Sequence, residues 1–302
     1  MRGRRRLVPH AVLLAASVAL AACAATIPTA PSSAPLTATG TAAAPSTTTA
    51  TSSATPTPPA SGAPRTAITG PRTTGALAGA VVVLDPGHDG GNARAPGVIN
   101  RLVDIGTGRK ACDTAGTETA AGYPEHAFTW DLATRLAARL RAAGARVVLT
   151  RDGDSGVGPC ITQRAEIGNR AARDAPAGTA VVALSLHADG GPAAGVGFHV
   201  IEPLPVPGNA AVVEPSLRLG AAVRAAFRRG TGERVSTYTG TDGITRRNDL
   251  GGLNLSRIPK VFLECGNMRN PQDAARLADP AWRERAAAAL VQGLQRYLAE
   301  TG

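Results

Sequence analysis

Histidine occurs five times in this chain of 302 residues, and two of the five stand in matching places just past short apolar runs. Val81-Val82-Val83-Leu84 leads through Asp85-Pro86-Gly87 to His88, and Val181-Val182-Ala183-Leu184-Ser185-Leu186 leads to His187. A third run, Val261-Phe262-Leu263, delivers Glu264, and Glu125 follows Pro124 where a helix begins. Apolar β-branched runs bounded by Gly and Pro read as buried strands, and open α/β sheets assemble ligand sites beyond the carboxyl ends of their strands. Two imidazoles and a carboxylate meeting there form the three-ligand set of a catalytic zinc ion, with one position left for water. Such an ion acidifies that water and polarises a carbonyl, while a further carboxylate moves the proton from water to leaving group. The reading is hydrolysis at one Zn²⁺ per chain, with His88, Glu125 and His187 as candidate ligands and Glu264 as candidate acid/base.

Each residue also has a plainer role. Asp-Pro-Gly before His88 is a turn that exposes polar residues without function, and an acid at a helix start answers the helix dipole. His126, next to Glu125, competes for the third ligand position, and residue types alone leave that tie open. Glu264 is harder to explain away, because a carboxylate on an apolar strand is costly unless it is paired or used. His199 alternates with Phe198 and Val200 and reads as a solvent-face or wall residue. Arg164 and Asn169 fit a helix surface or a role in orienting the site.

The elements that must position these groups alternate. Strands are expected at Val81 to Leu84, Arg146 to Thr150, the run ending at His187, Gly197 to Ile201 and Lys260 to Glu264. Helices are expected from Glu125 to Ala143, where Phe128, Leu132, Leu136 and Leu140 repeat along one face, and at Ile161 to Ala172, Pro215 to Arg228 and Pro280 to Leu298. Asp89 to Tyr123 reads as irregular. This order implies an α/β domain with a mostly parallel sheet between helices.

The N-terminus sets the compartment. Arg2, Arg4, Arg5 and Arg6 precede an apolar stretch from Leu7 to Ala22, too short and weak for a membrane span, so residues 1–22 read as a signal peptide. It closes on Leu20-Ala21-Ala22-Cys23, which resembles a bacterial lipobox and marks Cys23 for lipidation, although Ala19-Leu20-Ala21 also suits ordinary secretion. Residues 23–78 are almost wholly Ala, Thr, Ser, Pro and Gly, with Arg65 and Arg72 the charged residues, a composition that cannot offset ordering entropy and predicts a disordered tether. As a coil it spans on the order of 40 Å. Residues 79–302 then make one catalytic domain. The formal net charge of +10 is nearly all arginine. In an exported chain that excludes nucleic acid as partner and favours anionic envelope polymers or lipid headgroups, with codon bias as an equal explanation. Export also permits a disulfide between Cys112 and Cys160, both in polar Gly-rich loops, whereas Cys265 reads as a buried structural thiol.

Taken together, Leu84-Asp85-Pro86-Gly87-His88-Asp89-Gly90-Gly91, Glu125 opening a helix, Arg164 to Asn169, Ser185-Leu186-His187-Ala188-Asp189 and Phe262-Leu263-Glu264-Cys265-Gly266-Asn267 with Asn270-Pro271 resemble, in order and spacing, the zinc-dependent N-acetylmuramoyl-L-alanine amidases of the type 3 class. The resemblance runs from Val81 to Leu298. It implies a six-stranded α/β sheet and hydrolysis of the amide joining the lactyl group of N-acetylmuramic acid to L-alanine in peptidoglycan. It also assigns zinc to His88, Glu125 and His187 and catalysis to Glu264, which settles the tie against His126. The expected setting is the cell envelope, through secretion or a lipid anchor, with the chain a monomer. Residues 92–121 exceed the usual connection between first and second ligands and are expected to form a flap pinned by Cys112 and Cys160. A zinc peptidase cutting within the stem peptide and a wall-binding lipoprotein without catalysis are the rival readings.

Overall fold

A computed structural model describes residues 77–301. The signal peptide, Cys23 and nearly all of the tether lie outside the described residues. Leu77, which composition assigns to the tether, is buried in the core.

Six strands form the main sheet: β1 (Val81–Pro86), β4 (Arg146–Leu149), β5 (Val181–Asp189), β6 (His199–Pro203), β7 (Ile244–Arg247) and β8 (Lys260–Asn267). Their order is β4-β1-β5-β8-β6-β7, parallel throughout except that β6 runs antiparallel to β8. A separate hairpin pairs β2 (Leu102–Asp104) with β3 (Arg109–Ala111), and a short helix α1 (Pro96–Ile99) precedes it, so the stretch from Asp89 to Tyr123 is less irregular than its sequence suggests. Helices α2 (Glu125–Ala142), α4 (Val213–Thr231) and α7 (Pro280–Thr301) pack together on one face of the sheet, while α3 (Ile161–Arg173) and the short α5 (Gly251–Asn254) pack on the other. Helix α6 (Pro271–Ala278) links β8 to α7.

Strand periodicity decides which residues reach the site. Val82 and Leu84, Leu184 and Leu186, and Val261, Leu263 and Cys265 enter the large core shared with α2, α4 and α7. Val81, Val83 and Ala183 point to the opposite face, against Ala171 and Ile258. Alternation then carries Asp85, Ser185, His187, Lys260, Phe262 and Glu264 onto that second face, and the register aligns them: Asp85 opposite Ser185, Ser185 opposite Phe262, His187 opposite Glu264. One sheet is therefore apolar on one side along its whole length and polar on the other toward its carboxyl ends. Helix α2 is fixed by Phe128, Leu132, Leu136 and Leu140, none of them exposed, each contributing roughly 1.5–3 kcal/mol on burial. Its first residue, Glu125, is thereby held over the carboxyl ends of β1 and β5.

Candidate active site

His88, Glu125 and His187 converge, each offering an atom within 4.8 Å of those of the others. Glu125 is the hub. Its Oε2 lies 3.1 Å from His88 Nε2 and accepts from the Thr117 amide at 3.1 Å, and its Oε1 lies 3.0 Å from His187 Nδ1 and accepts from the Ala188 amide at 3.1 Å. His88 Nδ1 faces the Thr114 carbonyl at 2.9 Å, which can only accept, so Nδ1 carries a proton and Nε2 is the nitrogen turned to the cluster, where it can exchange its own proton for a metal ion. Burial alone would pull the His88 imidazolium down, but Glu125 and Asp113 outweigh it and raise the group to about 10. Burial likewise works against Glu125 ionisation, and the two imidazoles hold it low all the same. Two nitrogens and a carboxylate that stabilise a positive charge between them suit a divalent zinc ion.

The backbone makes room for this approach. A β-carbon on Gly87 would fall 2.2 Å from His187 Cε1, and the next residue, His88, takes φ of 60°, a left-handed conformation that non-glycine residues adopt only under constraint. Gly87→Ala is expected to push His187 aside and lower kcat/KM by about 10², since displacement of a catalytic group by 1 Å has that cost. Steady-state hydrolysis beside an unfolding curve checks it; unchanged kinetics would mean that the close approach is incidental.

Glu264 lines the same cleft, of about 320 Å³, with His88, Glu125, His187, Asp189, Arg247 and Phe262. Its Oε2 is buried without a hydrogen-bond partner among the described residues. Burial, then Glu125 and Asp189, push this carboxyl well above the usual carboxylate range, so it is suited to hold and release a proton. Phe262 stacks on His187 with centroids 5.1 Å apart and planes 16° from parallel, fixing the ring beside Glu264.

Beneath the site lies a charged network that residue patterns alone do not announce. Asp85, on the polar face of β1, accepts from Thr150 and Ser185 hydroxyls at 2.7 Å each, from Lys260 Nζ at 2.8 Å and from Arg164 at 3.1 Å. Arg164 is buried, not a surface residue. It also donates to the carbonyls of Pro86, His88, Gly158 and Pro159 and to Asp113, tying the end of β1 to the insertion. Asn169 instead fastens α3 to Leu255 and Arg257, away from the cleft. His126 turns to Asp154, 2.9 Å from its Nδ1, rather than into the cluster. His199 is 3% exposed rather than solvent-facing, because β7 flanks its strand and Tyr238 covers it; its cross-strand partner is Glu264.

Cys112 and Cys160 form a disulfide, and Cys265 is free and buried. Cys112 precedes Asp113 and Thr114, both of which meet His88, so the bridge joins the insertion that supports the first histidine to the start of α3. It closes a loop of 48 residues. Replacing both cysteines with Ser is expected to cost about 2–4 kcal/mol. Urea denaturation measures it, with thiol counting to show that the parent carries the bridge; a loss under about 1 kcal/mol would assign the pinning to the hydrogen bonds alone.

Comparison with known proteins agrees with this layout. Residues 82–296 match the family described as N-acetylmuramoyl-L-alanine amidase. The N-acetylmuramoyl-L-alanine amidase Rv3717 of Mycobacterium tuberculosis is 42% identical over 227 residues, 75% of this chain and 89% of the relative. Crystal structures of the N-acetylmuramyl-L-alanine amidase Ami1 from Mycobacterium abscessus, in its apo form, and from Mycobacterium smegmatis are 45% and 41% identical, with TM-scores of 0.67 and 0.68. Each alignment covers 74% of this chain, and 100% and 99% of the respective Ami1 chains.

Proposed function

The chain belongs to the N-acetylmuramoyl-L-alanine amidase family and hydrolyses peptidoglycan as such an amidase, and from that premise we propose that it works with one zinc ion held by His88, Glu125 and His187. The observation that carries this reading is the trio itself, two imidazoles bridged by one buried carboxylate. Zinc bound there supplies Lewis-acid polarisation and an acidified water. The protein's own groups do the rest. Thr114 and Asp113 hold the His88 tautomer, the Thr117 and Ala188 amides orient Glu125, and Phe262 keeps His187 in plane. Glu264, whose Oε2 has no hydrogen-bond partner among the described residues, would be ionised once the charge of a bound cation offsets Glu125 and Asp189, and would then take a proton from water and return it to the nitrogen of the departing L-alanine.

Elemental analysis of the purified chain is expected to give one zinc per molecule, and none for His187→Ala. Because metal replaces the proton that His88 holds at neutral pH, uptake is expected to release protons, read as buffer-dependent heats in calorimetry. Digestion of defined muropeptides is expected to release peptide beginning with free L-alanine and leave glycan intact; cleavage inside the stem would make the chain a peptidase. A full zinc content with no product would leave the wall-binding alternative. An envelope location follows from the substrate, and we assign export to residues 1–22 and anchoring to lipid on Cys23; the mass of the mature N-terminus tests that assignment.

A further inference from the structure

A three-residue charge cluster bridges the insertion and the main sheet at the rim of the cleft. Asp249 accepts from Lys110 Nζ at 2.7 Å, and from Arg247 Nε and Nη2 at 2.7 Å each. Two cations on one carboxylate leave one positive charge over. All three side chains are 39–45% exposed, so the cluster is reachable from solvent. Its Arg247 lies among the residues that line the cleft with His88, His187 and Glu264, while Lys110 and Asp249 line a neighbouring apolar cavity of about 280 Å³ that shares both histidines. Arg247 is the arginine of that lining, which otherwise carries the two histidines with Glu125, Asp189 and Glu264. The guanidinium edge that carries Nη1 makes no protein hydrogen bond among the described residues, since Asp249 occupies Nε and Nη2.

A part-exposed guanidinium edge with free donors at the rim of the cleft is suited to receive a substrate carboxylate. We propose that Lys110, Asp249 and Arg247 form a recognition site for a carboxylate on the peptide side of the scissile amide, with Arg247 making the contact and Lys110 completing the charge. This rests on the amidase reading and adds a substrate preference to it. It also gives the insertion a role in recognition, because Lys110 sits on β3 and the hairpin thereby supplies one of the two cations. Thr107, donating to the Asn248 carbonyl at 2.9 Å, and Asn254, donating to Ile105 at 3.0 Å and to Asn248 at 2.7 Å, hold the hairpin against the Asp249 loop.

The test uses the whole chain and two synthetic muramoyl dipeptides that differ in one group, a carboxylate or a carboxamide on the residue after L-alanine. The unmodified protein is expected to favour the carboxylate in kcat/KM by on the order of tenfold, mainly through KM. Added salt is expected to shrink that preference, because the site is partly exposed. Arg247→Gln and Lys110→Met are each expected to lower kcat/KM more for the carboxylate substrate than for the carboxamide, and Arg247→Lys to restore part of the difference. Equal losses on both substrates would reduce the cluster to a structural clamp, and an unmodified protein without preference would overturn the site. If neither substrate is cleaved, the amidase reading fails instead; calorimetric titration with the two product dipeptides then decides the site, equal affinities counting against it.

Discussion

Glu264→Gln is expected to lower kcat by roughly two to four decades with KM little changed, the normal size of effect for a lost general acid/base. Gln keeps the shape and the hydrogen-bonding reach of the side chain but cannot take the proton. The same substitution is expected to stabilise the metal-free protein. Burial, Glu125 and Asp189 raise the folded-state pKa of Glu264 above its unfolded value, so ionised Glu264 works against the fold. That penalty is absent below the unfolded pKa and grows as pH rises toward the folded one. The neutral amide removes it. Comparing urea midpoints of the two proteins near pH 4 and pH 8 checks the sign: the advantage of Gln is expected at about pH 8 and should fade at about pH 4. A variant that loses activity and stability together would mean that Glu264 holds the cleft in shape rather than moving a proton.

That conflict between stability and chemistry is why Glu264 was legible in the sequence. A carboxylate between Leu263 and Cys265 contradicts its surroundings, and contradictions of this kind collect at functional sites. Asp85, after Val81-Val82-Val83-Leu84, carries the same signal, and the same argument applied to it points to the charged network beneath the site. The strands β1, β5 and β8 were readable because they are buried on both faces and nearly continuous in apolar residues. Strand β7, Ile244-Thr245-Arg246-Arg247, was not, because an edge strand half exposed to water needs no such pattern. The β2–β3 hairpin, two exposed or half-exposed strands of three residues each, is too short to show an alternation. Helix α6 does carry a local signal: Asn270 caps it, accepting from the Gln272 and Asp273 amides, with Pro271 at its first position. No local pattern announces that Lys110 meets Asp249 across 139 residues. Pairings of that separation are made by the fold, and the partners of Arg164 were hidden in the same way.

Arg164 carries the second large effect. Arg164→Met is expected to cost about 3–5 kcal/mol of unfolding free energy, the usual consequence of removing one partner from a buried ion pair. The cost comes from what stays behind. Asp85 keeps Lys260 and two hydroxyls, but Asp113 is left with His88 and the Thr114 amide, and the carbonyls of Pro86, His88, Gly158 and Pro159 each lose a donor. Methionine fills the space and satisfies none of them. Arg164→Lys is expected to recover only part of the loss, because an ammonium offers three donors from one point where the guanidinium reaches Asp85, Asp113 and four carbonyls at once. For a domain whose total stability lies near about 5–15 kcal/mol this is a large fraction. The loss should extend to the site, since Arg164 anchors both the His88 carbonyl and the Asp113 carboxylate that faces His88 Nδ1. Zinc content is therefore expected to fall in Arg164→Met protein that is still folded at low temperature, and denaturant titration beside elemental analysis separates the two effects. A change below about 1 kcal/mol, with zinc retained, would show that Lys260 and water alone neutralise Asp85 and that the network under the site is redundant.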